Sequence, residues 1–221
     1  MKNTNGWKTS GMCILFFVLL QTMGLSQTGK NPFEDINNTS VLPMLKALPR
    51  TYGGLNINAA DGRYLYDLII KNKYQRGLEI GTSNGYSGLW LGLAFQETGG
   101  ALVTLEIERK RAKEARENFN KAGLGQVIDA RICDAFKEIP KIEGEFDFVF
   151  IDAWKPDYME FLQLVRHRVK PGGVITAHNV LNAGREMQDF LDALQADPGL
   201  ETKIVRHSSA GVSISIVKAK N

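Results

Sequence analysis

Five short apolar runs in this chain end on residues able to do chemistry. "RGLEIG" carries Glu79 and Gly81, "ALVTLEI" closes on Glu106, and "QVIDARI" is followed by Asp134. "FDFVFID" closes on Asp152 with Lys155 three residues on, and "GVITAH" ends on His178 with Asn179 next. One polar residue after an apolar run is ordinary, because strands must emerge into water. Five such ends on one sheet would converge on one edge. Three chemistries can be weighed against them. Gly81-Thr82-Ser83-Asn84-Gly85 fits the G-x-S-x-G elbow of serine hydrolases, and Asp152 with His178 or His207 follows in the required order. That reading has little chain upstream to build an oxyanion loop, and it leaves Glu106 and Asp134 without a role. A dinucleotide site wants G-x-G-x-x-G, and Ser83 and Tyr86 stand where its later glycines belong. No G-K-[ST] occurs, which excludes a P-loop.

The third chemistry employs every strand end. Gly81 and Gly85 permit a tight turn and close approach of a ligand to the backbone. Glu106 can accept two hydrogen bonds from a ribose diol, and Asp134 can reach an adenine edge. The result is an adenosine pocket with no phosphate cradle, which suits S-adenosylmethionine (SAM). Ser83 is then a small loop residue and not a nucleophile.

The elements that must position these residues follow from periodicity. "AADGRYLYDLIIKN" places Leu65, Leu68 and Ile69 on one helical face, and "GYSGLWLGLAF" is an apolar helix ended by Gly99-Gly100. In "RKRAKEARENFNKAGLG" Ala112, Ala115, Phe119 and Ala122 form a stripe, with Gly123 as its stop. "PDYMEFLQLVRHRV" predicts a helix ended by Pro171-Gly172-Gly173, and "REMQDFLDALQA" another through Met187, Phe190, Leu191 and Leu194. Alternating strands and helices imply a parallel sheet covered on both faces, whose ligands bind at the carboxyl ends of the strands. "ETKIVRH" and "GVSISIVKA" lie too close together for a crossover helix and predict an antiparallel hairpin.

With 221 residues and a net charge of +3, the chain is sized for one domain, and its charge does not imply nucleic acid. Lys2 and Lys8 precede "MCILFFVLL" and then "QTMGLSQTG". A basic start, a short apolar core and small residues read as a signal peptide; the run is shorter than the ~20 residues of a spanning helix. Residues 1–26 are therefore expected to be a signal peptide or a short N-terminal anchor, 27–50 a linker or arm, and 51–221 the catalytic domain. The mature protein would be exported, periplasmic or extracellular, or attached to a membrane by that segment. Removing it leaves Cys133 alone, so the fold cannot depend on an internal disulfide.

The sequence resembles the class I SAM-dependent O-methyltransferases, especially the catechol and caffeoyl-CoA O-methyltransferase group. "LEIGTSNGYSG" looks like the group's cofactor loop, "VTLEI" its ribose-binding strand end, "GLNINAADGRYL" its helix-entry segment, and "FDFVFIDAWKPDY" its D-x-x-K-x-x-Y motif. The resemblance runs from about Leu55 to Val217. It implies a Rossmann-like α/β fold: a seven-stranded, mostly parallel sheet with an antiparallel last strand and helices on both faces. It implies methyl transfer from SAM to a hydroxyl of a small acceptor, aromatic or catechol-like. Glu79, Gly81, Ser83, Gly85 and Ser87 would line the methionine pocket with Ile57 closing it. Glu106 would take the ribose, and Asp134, Ala135 and Trp154 would border the adenine. Lys155 would sit beside the acceptor as general base, with Asp152 and His178 completing the catalytic set.

One departure matters. The group's divalent-metal ligands are Asp152 and an Asp-Asn pair, and here the pair is His178-Asn179. Magnesium, which prefers oxygen ligands, should bind less well. Either Mn, Fe or Zn takes Asp152, His178 and Asn179, or the metal is gone and His178 serves as the base. The acidic substrate clamp of the catechol enzymes has no match in "RHSSAGVSISIVKAKN", so catechol itself does not carry over. An exported serine hydrolase and a non-catalytic SAM-binding module stay as alternatives, and homodimerisation stays open.

Overall fold

The computed structural model describes residues 31–50, 56–181 and 184–219. Seven strands, β1 (Arg76–Ile80), β2 (Ala101–Glu106), β3 (Ile128–Ile132), β4 (Phe146–Ile151), β5 (Val169–His178), β6 (Leu200–Val205) and β7 (Val212–Val217), form one sheet in the order β3-β2-β1-β4-β5-β7-β6. All neighbouring pairs from β3 to β5 are parallel, and β7 runs antiparallel to both β5 and β6. The predicted α/β sheet and its closing hairpin are therefore present. The order puts the carboxyl ends of β3, β2, β1, β4 and β5 side by side along one edge.

Among the described residues seven α-helices cover the two faces: α1 (Val41–Ala47), α2 (Ala59–Asn72), α3 (Tyr86–Thr98), α4 (Arg109–Lys121), α5 (Ala135–Glu138), α6 (Tyr158–Val165) and α7 (Arg185–Ala196). Side chains alternate across β4: Phe148 and Phe150 join the core under α1 to α4, while Val149 and Ile151 join the core under α6 and α7. This two-sided burial explains why "FDFVFI" is an almost unbroken apolar run. Helix α3 is buried along its whole first ten residues, because the sheet, α2, α1 and α4 all pack against it. Its packing is close: a Cβ on Gly62 would lie 2.4 Å from Trp90 Cδ1.

Local chemistry sets the helix ends. The Asn58 side chain accepts from Ala60 N at 2.9 Å and opens α2, and Glu108 accepts from Lys110 N and Arg111 N to open α4. On α4 the expected stripe of Ala112, Ala115 and Phe119 is buried. Phe119 packs under the loop that follows β1, with ring atoms 2.8 Å from where Cβ atoms of Gly85 and 2.6 Å from those of Gly88 would be.

Three expectations are corrected. The segment read as an arm, 27–50, carries α1, with Ile36, Val41 and Leu45 buried against the core; the apolar spacing Val41 to Leu45 is one helical turn. The helix expected to run to Pro171-Gly172-Gly173 ends at Val165, followed by a 3-10 turn, Arg166–Arg168. Strand β5 begins at Val169, and the Pro-Gly-Gly run forms an irregularity in it, where register with β4 shifts between Phe146 and Phe148. The short α5 after Asp134 was not foreseen. Residues 1–26 lie outside the described residues. Among the described residues no helix is long and apolar enough to cross a membrane.

Phe119 should carry both stability and site order. Phe119→Ala is expected to cost about 3–5 kcal/mol in urea unfolding. A loss below about 1 kcal/mol would show that the loop after β1 does not rest on this ring.

Candidate active site

The turn after β1 is the closest-packed point of the edge. Gly81 has φ +98, and a Cβ there would sit 2.3 Å from the main-chain oxygen of Asp152. Gly81 N donates to Leu105 O and Asp152 N to Ile80 O, each at 2.9 Å, extending the ladders to the loop itself. Gly85 N returns to Thr82 O, and buried Asn118 on α4 donates to Asn84 O. Ser83 occupies the left-handed region at φ +49, a strained conformation for a residue with a side chain. Its N–H donates to Glu106 Oε2 at 2.7 Å. Glu106 Oε1 accepts from Glu108 N at 2.9 Å. The Glu106 carboxylate is thus fixed by two amides, with a lone pair left on each oxygen for a ligand.

One cavity of about 490 Å³ collects most of the predicted residues: Gly81, Ser83, Glu106, Asp134, Ala135, Asp152, Trp154, Lys155 and Asn179 all line it. Asp134 caps α5 through Phe136 N at 3.0 Å, which turns Ala135 and Phe136 toward the cavity. Trp154 and Ile107 are 72% and 74% exposed and both line it. They are the large apolar side chains this edge leaves in water. Arg111, Cys133 and Phe161 also line it and were not anticipated.

Ile57, Glu79, Gly85, Ser87 and His178 are not in that lining; they are buried behind it. Glu79 accepts from Thr104 Oγ1 at 2.6 Å, Thr104 and Thr82 hydroxyls meet at 2.5 Å, and Glu79 Oε1 has no partner. Burial pushes the Glu79 carboxyl up to about 8, against the lowering effect of the Ser87 and Thr104 hydroxyls.

At the β4 and β5 ends lies a row of alternating charge. Lys155 Nζ donates to Asp152 Oδ1 at 3.1 Å, to Ala153 O and to Tyr158 Oη at 2.8 Å, so its three N–H groups are all used. His178 Nδ1 lies 3.5 Å from Asp152 Oδ2, long for a hydrogen bond but within ion-pair range. His178 Nε2 lies 3.1 Å from Asp61 Oδ2, and Ser208 Oγ donates to the same Asp61 oxygen. Burial by itself would lower the His178 pKa; hydrogen bonding and charge from Asp152 and Asp61 outweigh it and push it up to about 9. Burial would likewise raise Asp152, and His178 and Lys155 outweigh it and hold its carboxyl below the usual range. Of its two ring nitrogens only Nε2 is hydrogen-bonded; Nδ1, which faces Asp152, has no hydrogen-bond partner.

Asp61, Ser208 and Tyr158 were missed. Asp61 had a signal: a carboxylate on the buried stripe of α2, one turn before Leu65. Tyr158 closes the D-x-x-K-x-x-Y spacing, and its buried hydroxyl also reaches Ile151 O and His178 O. Ser208 had none, because only the hairpin's fold carries it to α2.

The hydrolase alternative finds no support. Among the described residues Ser83 Oγ has no hydrogen-bond partner, and His178 is hydrogen-bonded to Asp61. His207 stacks on Tyr64, ring centroids 4.7 Å apart, beside a different and smaller cavity.

A family model described as O-methyltransferase matches residues 42–201. Catechol O-methyltransferase of Niastella koreensis is 33% identical over 151 residues, 66% of this chain and 66% of that protein. Catechol O-methyltransferase of Mycobacterium tuberculosis is 33% identical over 147 residues, 66% of this chain and 64% of that protein. The chain thus spans just under two thirds of the length of these curated relatives. An O-methyltransferase structure from Bacillus cereus in complex with SAH superposes with a TM-score of 0.71 at 26% identity, covering 80% of this chain and 89% of that one.

Glu79 and His178 both hold their protons more tightly in the folded chain than in the unfolded one. Stability contributed by the Glu79 proton is present below about pH 4.5 and falls as pH rises toward about 8. That of His178 is full below about 6.5 and is lost through about 9. The melting temperature should therefore fall steadily from pH 5 to 9. Glu79→Gln should flatten the lower part of that slope and leave the upper part in place. Parallel curves for the two proteins would mean that Glu79 is ionised in the fold.

Proposed function

Because the chain belongs to the O-methyltransferase family, we propose that it transfers a methyl group from SAM to a hydroxyl of a small acceptor at this strand-end cavity. The observation that carries the reading is the continuity of that cavity. It joins Glu106 and Asp134, at the β2 and β3 ends, to Asp152, Lys155 and Asn179, at the β4 and β5 ends. A cofactor and an acceptor can therefore lie end to end in one space, as in-line transfer requires.

The residues fit SAM. Glu106 offers a pre-oriented carboxylate to a diol. Gly81 and Ser83 leave the backbone open to close approach. Asp134, Ala135, Ile107 and Trp154 provide a polar edge and apolar faces for a flat base. When bound, SAM supplies a methyl group already activated on a sulfonium, so the chain's task is to position the acceptor and manage its proton. SAH, which the Bacillus cereus protein holds, is what remains of SAM after transfer.

Lys155 is the residue proposed to handle that proton. It lines the cavity, and Asp152, Ala153 O and the Tyr158 hydroxyl hold it in place. As an ammonium it favours an acceptor oxygen that has lost its proton, and it can serve as the general base only after yielding one of its own. The exposed Trp154 beside it suits a flat, aromatic acceptor, a reading that the catechol O-methyltransferase relatives also support. We further propose that residues 1–26 export or anchor the domain; fractionation of cells making the full chain, with the protein found wholly in the cytosol, would sink that part.

Two substitutions separate the roles. Lys155→Ala should lower kcat by about 10²-fold or more at nearly unchanged SAM affinity. Glu106→Ala should weaken SAM binding by about tenfold or more in calorimetric titration. Unchanged turnover in the first variant would remove Lys155 from the mechanism, and unchanged binding in the second would move the ribose site elsewhere.

A further inference from the structure

Three polar side chains lie sealed beneath the cofactor end of the cavity. Glu79, Thr82 and Thr104 are 0%, 1% and 0% exposed, and none of them lines the cavity. Thr104 stands inside β2, level with Glu79 of β1 on one side and with Ala130 of β3 on the other. A valine would fill the same space, and a hydroxyl buried there is costly unless it is bonded. This one is bonded twice: Thr104 Oγ1 donates to Glu79 Oε2 at 2.6 Å and meets Thr82 Oγ1. A threonine hydroxyl has one hydrogen to give. Since that of Thr104 goes to Glu79, Thr82 donates to Thr104, and the chain of bonds runs from Thr82 through Thr104 to Glu79.

Thr82 is where this chain reaches the site. It sits between two residues in the left-handed region, Gly81 at φ +98 and Ser83 at φ +49. Its main-chain oxygen accepts from Gly85 N at 2.9 Å and closes the turn. The next N–H, that of Ser83, is held by Glu106 Oε2 at 2.7 Å. Thr104 and Glu106 are two residues apart and so share one face of β2. They grip successive loop residues, Thr82 by its side chain and Ser83 by its main chain. A residue with a side chain stays at positive φ only where its surroundings over-determine it. With the Thr104 bond gone, Thr82 is free to turn from β2 and take the Ser83 N–H away from Glu106. The loop backbone and the ribose carboxylate then lose their orientation together.

We propose that Thr104 is a positioning residue for SAM: it does not touch the cofactor, and through Thr82 it holds the loop after β1 in the shape that Ser83 and Glu106 present to it. This rests on the reading of the cavity as the SAM site.

The test is calorimetric titration of the full chain and its variants with SAM, reading Kd and stoichiometry separately. Thr104→Val, which keeps the shape and removes the bonds, should raise Kd about tenfold or more with one site still filled per chain. Thr104→Ser, which restores the hydroxyl, should stay within about threefold of wild type. Thr82→Val should reproduce the loss, and the double Val variant should bind no worse than the weaker single one, because both remove the same contact. A merely structural role would lower the stoichiometry of Thr104→Val and leave Kd in place, and that result would overturn the proposal. So would an unchanged Kd in Thr82→Val, a Thr104→Ser variant as weak as Thr104→Val, or losses that multiply in the double variant. If Thr104→Val does not fold, Thr82→Val and Thr104→Ser decide the matter. Wild type that binds no SAM would sink the SAM site and this proposal together; wild type that binds, with Thr104→Val equal to it, would sink the proposal alone.

Discussion

The contact between the ends of β1 and β4 is the constraint on which the site depends. Gly81 leaves no room for a side chain, because Asp152 O occupies the place of its Cβ. That approach lets β1 and β4 carry their ladder past the last strand residues through Asp152 N and Ile80 O. It sets the loop after β1 directly beside the Asp152–Lys155 turn. Without it, the adenosine end and the acceptor end of the cavity would belong to separate surfaces. Phe119 and Asn118, reaching up from α4, support the same loop from beneath.

Charge at this edge is handled in two ways. Glu79 lies alone among hydroxyls in the core under α3, where desolvation outweighs every other influence and favours the neutral acid. Asp61 lies just as deep and Asp152 is partly buried, and each has a basic side chain beside it. Such buried pairs are costly to desolvate and costly to break. Their value here is geometric: the row ties α2, the ends of β4 and β5, and, through Ser208, the loop of the last hairpin. Tyr158 adds a tie from α6.

Most of the edge was legible in advance because strand ends are legible. An apolar run of five or six residues that stops at a charged one marks where a buried strand meets water, and that holds for Glu106, Asp134 and Asp152. The pattern was silent on depth. Glu79 and Glu106 look alike in sequence, each the last acid of an apolar run, yet Glu106 opens on the cavity and Glu79 is sealed behind it. In register Glu79 lies beside Thr104, so Glu106 stands two residues further toward the carboxyl edge on the same face of the sheet, about 7 Å along the strand. The arm before α2 was misread for a related reason: its apolar residues are too few to show a period, although Val41 and Leu45 suffice to dock one helical turn.

Sequence alone determined the fold class, the order of strands and helices, the glycine-bearing loop and the strand-end acids. These are local properties, set by periodicity, by glycine's access to positive φ and by the need of a strand to end in polar residues. Only the tertiary structure decided the partners. Asp61 and His178 are 117 residues apart, and Asp61 and Ser208 are 147 apart, and no local pattern records that they meet. That meeting decides how the imidazole is held, because a buried side chain takes its surroundings from the residues packed around it and not from its place in the chain.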